Sequence, residues 1–259
     1  MPSSSKPICL LIAAVGPLLG SVNLQLREGC PIVDGVYVNG HGPYRFLLDT
    51  GTQLNHLDPK LAKSIGLKAT IRVEVISAFA VIQAPAAEGI EIALESVRAG
   101  GQKMVFSDLE AVHQLGFDIK GVLGQEFLSR FDYLLDLRAK RLEFSKQDRV
   151  GIRAEFQKIH GQQAVSTSLG WLLLDSGTAW VVVFGGPAAP RTNDILTLAG
   201  ASKAGLVPRR PLVIEGRTIR YNELVAMPGS KEAGVAGLLP VSLFKSVYVC
   251  NSEGYVVLD

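Results

Sequence analysis

Apolar residues along this chain recur at a spacing of two or in short unbroken runs, a pattern of strands more than of long amphipathic helices. Ile32 to Val38 alternates toward Asn39-Gly40, and Tyr44 to Leu48 resumes as an apolar strand, which predicts a hairpin across an Asn-Gly turn. Asp58-Pro59 opens a short helix with Leu61 and Ile65 on one face and Gly66 at its end. Ile71 to Ile76 and Ile90 to Leu94 predict strands, and Val97 to Leu109 predicts a hairpin around Gly100-Gly101. Gly124 to Phe131 reads as one or two helical turns, followed by strands over Tyr133 to Leu137 and Arg141 to Phe144. Farther on, an apolar run leads into Asp175 and Trp180 to Phe184 predicts a strand. Asp194 to Ala199 predicts a helix, Glu215-Gly216 a hairpin turn, and Val247 and Val256 lie in strands. The expected class is mainly β with short helices.

The pattern also repeats. Leu47-Leu48-Asp49-Thr50-Gly51-Thr52 returns as Leu173-Leu174-Asp175-Ser176-Gly177-Thr178. Downstream, Gly121-Val122-Leu123-Gly124 is matched to Gly234-Val235-Ala236-Gly237, with Leu128, Ser129 and Phe131 falling on Val241, Ser242 and Phe244. The polar segment near 145–155 separates the copies, so the expected division is a leader over 1–23, lobes over 24–147 and 156–259, and a linker over 148–155. One Asp-Thr-Gly alone is ordinary turn vocabulary. Two, each after an apolar strand and each followed by an apolar element containing glycine, are a constellation.

These residues resemble the aspartic peptidase superfamily, with retropepsin-like lobes duplicated in one chain and the two-lobed layout of the pepsins, over roughly 29–144 and 156–259. The resemblance implies a two-lobed acid-protease fold of closed barrels, with Asp49 and Asp175 as the catalytic pair. Two carboxyls about 3 Å apart cannot both ionise comfortably, so they share a proton, and one acts as base while the other acts as acid on a water and a peptide carbonyl. No metal, cofactor or covalent intermediate is needed. The resemblance gives the Thr50 and Ser176 hydroxyls the role of tying the two turns together across the lobes, and Gly51 and Gly177 that of permitting close approach. Thr52 and Thr178 match a position that donates to the outer carboxylate oxygen, which favours the ionised form and an acidic working range. The covering hairpin carries a Tyr in pepsins and is rich in Gly in retroviral members. The corresponding stretch, Val75 to Glu88, holds only Phe79 as an aromatic. Two readings follow: an endopeptidase working on peptide or protein substrates, or a catalytically silent peptide-binding or regulatory protein on the same scaffold.

The 259 residues suffice for one large core or two small ones, and a hydrophobic content of 47% with 19% charged residues describes an ordered chain. A net charge of +2, without a basic run interleaved with aromatics, argues against nucleic acid. The start, Met1 to Lys6 followed by an apolar stretch from Ile8 to Leu19 broken by Pro17, reads as a secretory leader too short to span a membrane. It implies a periplasmic or secreted protein, with any membrane association confined to that segment, while two complete Asp motifs in one chain lead to the expectation of a monomer. Cys9 would leave with it, and Cys30 and Cys250 would then either pair or remain buried thiols. His41, His56, His113 and His160 lack ligand spacing and are expected at the surface, while Trp171 and Trp180 are expected in the core.

Overall fold

The computed structural model describes residues 19–76, 81–113, 116, 118–185, 191–197, 200–229 and 234–259. Its first half runs β1 (Leu19–Arg27), β2 (Cys30–Val38), β3 (His41–Leu48), β4 (Asn55–Leu57), α1 (Pro59–Ser64), β5 (Ile71–Ile76), β6 (Val81–Leu94) and β7 (Val97–Phe106). It continues through α2 (Glu110–His113), β8 (Gly121–Leu123), α3 (Gln125–Leu128), β9 (Tyr133–Asp136) and β10 (Arg141–Phe144). The second half runs β11 (Ile152–Ile159), β12 (Gln162–Thr167), β13 (Gly170–Asp175), β14 (Val181–Phe184), β15 (Asn193–Thr197), β16 (Gly200–Val207) and β17 (Leu212–Ile214). It ends with β18 (Arg217–Ile219), β19 (Leu224–Met227), β20 (Gly237–Pro240) and, after a 3-10 turn at Val241–Leu243, β21 (Ser246–Cys250) and β22 (Tyr255–Leu258).

Local chemistry explains most of these boundaries. Asn39 and Gly40 both take positive φ, +47° and +77°, the left-handed pair that a two-residue hairpin between twisted strands demands. The Asp58 carboxylate accepts the Lys60 N–H, Pro59 opens α1 without losing a bonded donor, and Gly66 at φ +74° follows its end. Glu215-Gly216 forms the turn between β17 and β18.

Other positions depart from the pattern. The turn between β6 and β7 falls at Glu95-Ser96, because Leu94 pairs with Val97. Gly100-Gly101 lies inside β7, where the pairing moves from Ile92↔Ala99 to Ile90↔Gln102 and Gly101 takes φ +68°. The two glycines accommodate a bulge, which uses the same positive φ as a turn. Residues 193–197 are a strand paired with β16, not the start of a helix, and 198–199 lie outside the described residues. A short apolar run is ambiguous between the two states until a partner strand arbitrates. Residues 19–23, read as the end of a leader, pair with β10 as part of β1 and bury Val22, while 1–18 lie outside the described residues. Residues 152–155, read as linker, pair with β22 as the start of β11.

Register corrects the repeat as well. Leu47 and Leu48 lie beside Val122 and Leu123 in a parallel pairing, and Leu173 and Leu174 lie beside Leu238 and Leu239 in the same way. The structural counterpart of Gly121-Val122-Leu123-Gly124 is therefore Gly237-Leu238-Leu239-Pro240, three residues beyond the match made on glycines alone. The halves share the rest of the arrangement: β4 with β7 and β14 with β19 are parallel, and β4 with β8 and β14 with β20 are antiparallel.

Six strands join the halves in one antiparallel sheet, in the order β1, β10, β9, β21, β22, β11, with Leu135 beside Val247 at the seam. Above it one apolar core takes residues from both halves, including Phe46, Leu48, Phe127 and Phe144 from the first and Leu172, Leu174, Leu239 and Val247 from the second.

Candidate active site

β3 and β13 each run as an apolar strand into an aspartate, and the packing of both strands in the shared core brings the two turns face to face. Asp49 is anchored by its N–H to the Leu123 carbonyl at 3.0 Å. The turns are then cross-bonded reciprocally. Thr50 N–H donates to Ser176 Oγ at 3.0 Å and Thr50 Oγ1 donates to the Leu174 carbonyl at 2.8 Å. Ser176 N–H donates to Thr50 Oγ1 at 3.0 Å and Ser176 Oγ donates to the Leu48 carbonyl at 2.7 Å. Both hydroxyls are buried, so four buried polar groups are satisfied by one mutual arrangement.

The glycines at the third motif positions are sterically required. A Cβ on Gly51 would stand 2.4 Å from Asp175 Cγ, and one on Gly177 would stand 2.9 Å from Asp49 Oδ2. Each motif thus presses its glycine against the opposite carboxyl, which brings the two carboxyls close enough for each to influence the other's titration.

The halves differ in how they treat those carboxyls. Asp49 accepts Gly51 N–H at 2.9 Å on one oxygen and Thr52 Oγ1 at 2.8 Å on the other. Asp175 accepts Gly177 N–H at 2.6 Å. The Thr178 hydroxyl instead accepts Trp180 N–H at 3.3 Å, so the symmetric pair of threonine donors expected from the motifs is present on one side only. Burial raises both titrations. For Asp49 the bonds from Thr52 and Gly51, and then Asp175, oppose the rise, whereas Asp175 is pushed well above the usual carboxylate range by burial and then by the charge on Asp49. Donors on both oxygens of Asp49, against one from Gly177 on Asp175, favour the charge on Asp49 and the proton on Asp175.

Around the stretch 75–88, β5 and β6 pair antiparallel from Ile71↔Ala86 to Ile76↔Val81, and residues 77–80, Phe79 among them, lie outside the described residues. Ala84 and Ala86 of β6 pack with Val105 on Leu54, just past the first motif, and Val81 and Ile82 are 40% and 41% exposed.

Cys30 and Cys250 are both buried free thiols in separate apolar clusters, and Cys9 lies outside the described residues. Cys250 Sγ lies 3.7 Å from Asp132 Oδ2 and 3.4 Å from Ser252 Oγ, so it is engaged at the far end of β21 and no clamp joins the chain ends. His41, His113 and His160 are exposed, but His56 is buried in β4 with Nδ1 2.8 Å from Ser107 Oγ, and burial pulls its titration down to about 4. Trp171 is partly buried against the second-half cluster, whereas Trp180 is 47% exposed because its position lies beyond the strand and beside the second motif. Among the described residues no three His, Cys, Asp or Glu side chains converge as a metal site would require.

Motif reading also misses a set of amides. Gln125 Nε2 donates to the Thr50 carbonyl at 2.8 Å, and Gln162 Nε2 donates to the Gly51 carbonyl. Gln163 Nε2 bridges Gln125 Oε1 and Asn251 Oδ1, each at 2.9 Å. The pointer in the sequence is slight: two adjacent glutamines opening the otherwise apolar run Gln162-Gln163-Ala164-Val165.

Residues 35–127 match the family model described as aspartyl protease. An aspartic proteinase from Irpex lacteus is similar in structure over 92% of this chain and 96% of its own, with a TM-score of 0.55 and 14% identity, a likeness that shows the fold. A retropepsin-like aspartic protease from Rickettsia conorii aligns with 48% of this chain and 89% of its own, at 18% identity and a TM-score of 0.36. No curated protein matches the sequence.

Proposed function

We propose that this chain belongs to the aspartic peptidase superfamily, whose model matches residues 35–127, and that it is an endopeptidase in which Asp49 and Asp175 together activate a water against a peptide bond. The observation that carries the reading is the pair itself: two buried carboxyls on facing turns, each packed against the opposite motif's glycine, with the turns locked by the Thr50 and Ser176 exchange. Such a pair can hold one proton and one charge at the same time, which is what the reaction consumes at its first step. Asp49, the better supplied with donors, takes the proton of the attacking water, and Asp175 gives its proton to the oxygen of the scissile carbonyl. The tetrahedral intermediate then collapses with proton transfer to the leaving amine, and the pair returns to its singly protonated state. Both acids, and both faces of the joining sheet, come from one chain, which supports a monomer as the working unit.

The test is cleavage of an unstructured protein substrate across a pH series by the wild type, Asp49→Asn and Asp175→Asn. The expected result is a maximum on the acid side and a loss of about 10²–10⁴-fold in either variant. Equal background from all three proteins at every pH overturns the reading.

A further inference from the structure

The two halves are related element by element, so a residue that serves one aspartate has a definable counterpart at the other. The β1–β2 turn, Glu28-Gly29, has φ +50° and +84°, and the β11–β12 turn, His160-Gly161, has φ +49° and +82°. Each tip reaches the opposite half at the fourth residue past its aspartate. A Cβ on Gly29 would lie 3.9 Å from Ala179 Cβ, and one on Gly161 would lie 3.7 Å from Gln53 Cγ. Arg27 pairs with Cys30 and Ile159 with Gln162, so Gln162 and Gln163 correspond to Cys30 and Pro31. By the register of β8 and β20, Gln125 corresponds to Val241.

All three amides therefore serve the first motif, and none of their counterparts at the second carries an amide. The consequence is visible in the first turn, where four successive carbonyls are held. Thr50 O accepts from Gln125 Nε2, Gly51 O from Gln162 Nε2, Thr52 O from Gln125 N–H and Gln53 O from Glu126 N–H. With its flanking peptides held in this way, Thr52 presents its hydroxyl to Asp49 at 2.8 Å. At the second motif, where a thiol and an apolar side chain stand in the equivalent places, the Thr178 hydroxyl turns away and accepts Trp180 N–H.

We infer that Gln162, supported by Gln125 and Gln163, is a positioning residue that reaches across the cleft to orient the Gly51-Thr52 peptide, and that this one-sided brace makes Asp49 the base of the pair. The inference rests on the proposed role of the dyad, but it concerns which carboxyl holds the charge and does not need turnover to be tested. Asp175 acts directly on Asp49, and the Cys30 thiol lies within reach of both charges; burial, then the charges of Asp175, Asp49 and Glu28, push that thiol up to about 12, so it stays neutral through the titration of the pair. Gln163 is itself held by Asn251, whose amide donates to the Phe131 carbonyl at 2.7 Å, so the brace is tied back to the core and is not a loose surface contact.

The experiment is a carboxyl ¹³C titration of the pair in the wild type, Gln162→Met, Thr52→Val and the double variant. Gln125→Met is a second entry into the same brace should Gln162→Met fail to fold. Gln162→Met is expected to weaken proton release from Asp49 about tenfold, and to add little in the Thr52→Val background because both act through one hydroxyl. If the wild type cleaves substrate, kcat falls by a similar factor with KM within about twofold. A titration identical to wild type in a folded variant, or an effect fully additive with Thr52→Val, overturns the inference. The expected titration with no wild-type cleavage would leave the brace standing and remove the peptidase reading instead.

Discussion

At the scale of single residues the two motifs are nearly the same string, but their chemistry differs by one hydroxyl. Thr52 Oγ1 donates to Asp49, and Thr178 Oγ1 does not reach Asp175. Thr52→Val should therefore raise the acid limb of the pH–rate profile by about one pH unit, and Thr178→Val should move it much less. The burial of the pair also has a stability signature. A carboxyl in an unfolded chain titrates near 3.9, and both aspartates titrate above their ordinary value when folded, so the folded state holds the shared proton more tightly. That contribution is complete below about pH 4 and is lost as pH rises through the raised folded value. Asp175→Asn, which removes the group pushed highest, should raise neutral-pH stability in denaturant titrations, and the gain should shrink as the pH is lowered. The motif residues themselves were legible because a carboxyl, a hydroxyl and a glycine at consecutive positions are each tied to one physical task. Gln125, Gln162 and Gln163 were not, because an amide acts through whichever carbonyl the fold brings near it.

At the scale of elements, β4 carries the clearest liability. His56 is buried there, and its titration falls from the unfolded value of about 6.5 to about 4. As pH falls through that window the unfolded chain takes up a proton that the folded chain refuses, so this group costs stability where the dyad contributes it. His56→Gln, which keeps a partner for Ser107 but cannot titrate, should flatten the loss of melting temperature between about pH 6.5 and 4, an effect worth up to roughly 3 kcal/mol. Elements whose boundaries depend on their own residues were legible: the Asn39-Gly40 hairpin, the Asp58-Pro59 helix start and the Glu215-Gly216 turn. Those whose state depends on a partner were not. Gly100-Gly101 supports a turn or a bulge equally well until Leu94 pairs with Val97, and 193–197 is a strand because β16 lies beside it.

At the scale of the whole molecule, the joining sheet and the common core make the halves one cooperative unit. Leu135 is fully buried and faces Val247 across the seam. Leu135→Ala should cost about 2–5 kcal/mol and lower a single calorimetric transition without splitting it. Two separable transitions would mean that each half folds by itself. The same coupling predicts that this variant, far from either motif in sequence, reduces any cleavage in proportion to its loss of folded protein and leaves the pH profile unmoved.

The sequence by itself determined the strand-rich class, the duplication and the identity of Asp49 and Asp175, because period-two apolar patterning and the strand-to-Asp-to-Gly turn are local properties that survive without a partner. The tertiary structure alone decided what lies opposite what. It shifted the second glycine element by three residues, seated Gly51 and Gly177 against the opposing carboxyls, buried His56, kept Cys30 and Cys250 apart and gave three amides to the turn of one motif and none to the other. Those outcomes depend on distances between residues far apart in the chain, 75 positions for Thr50 and Gln125 and 126 for Thr50 and Ser176, which packing and strand register set and local composition does not encode.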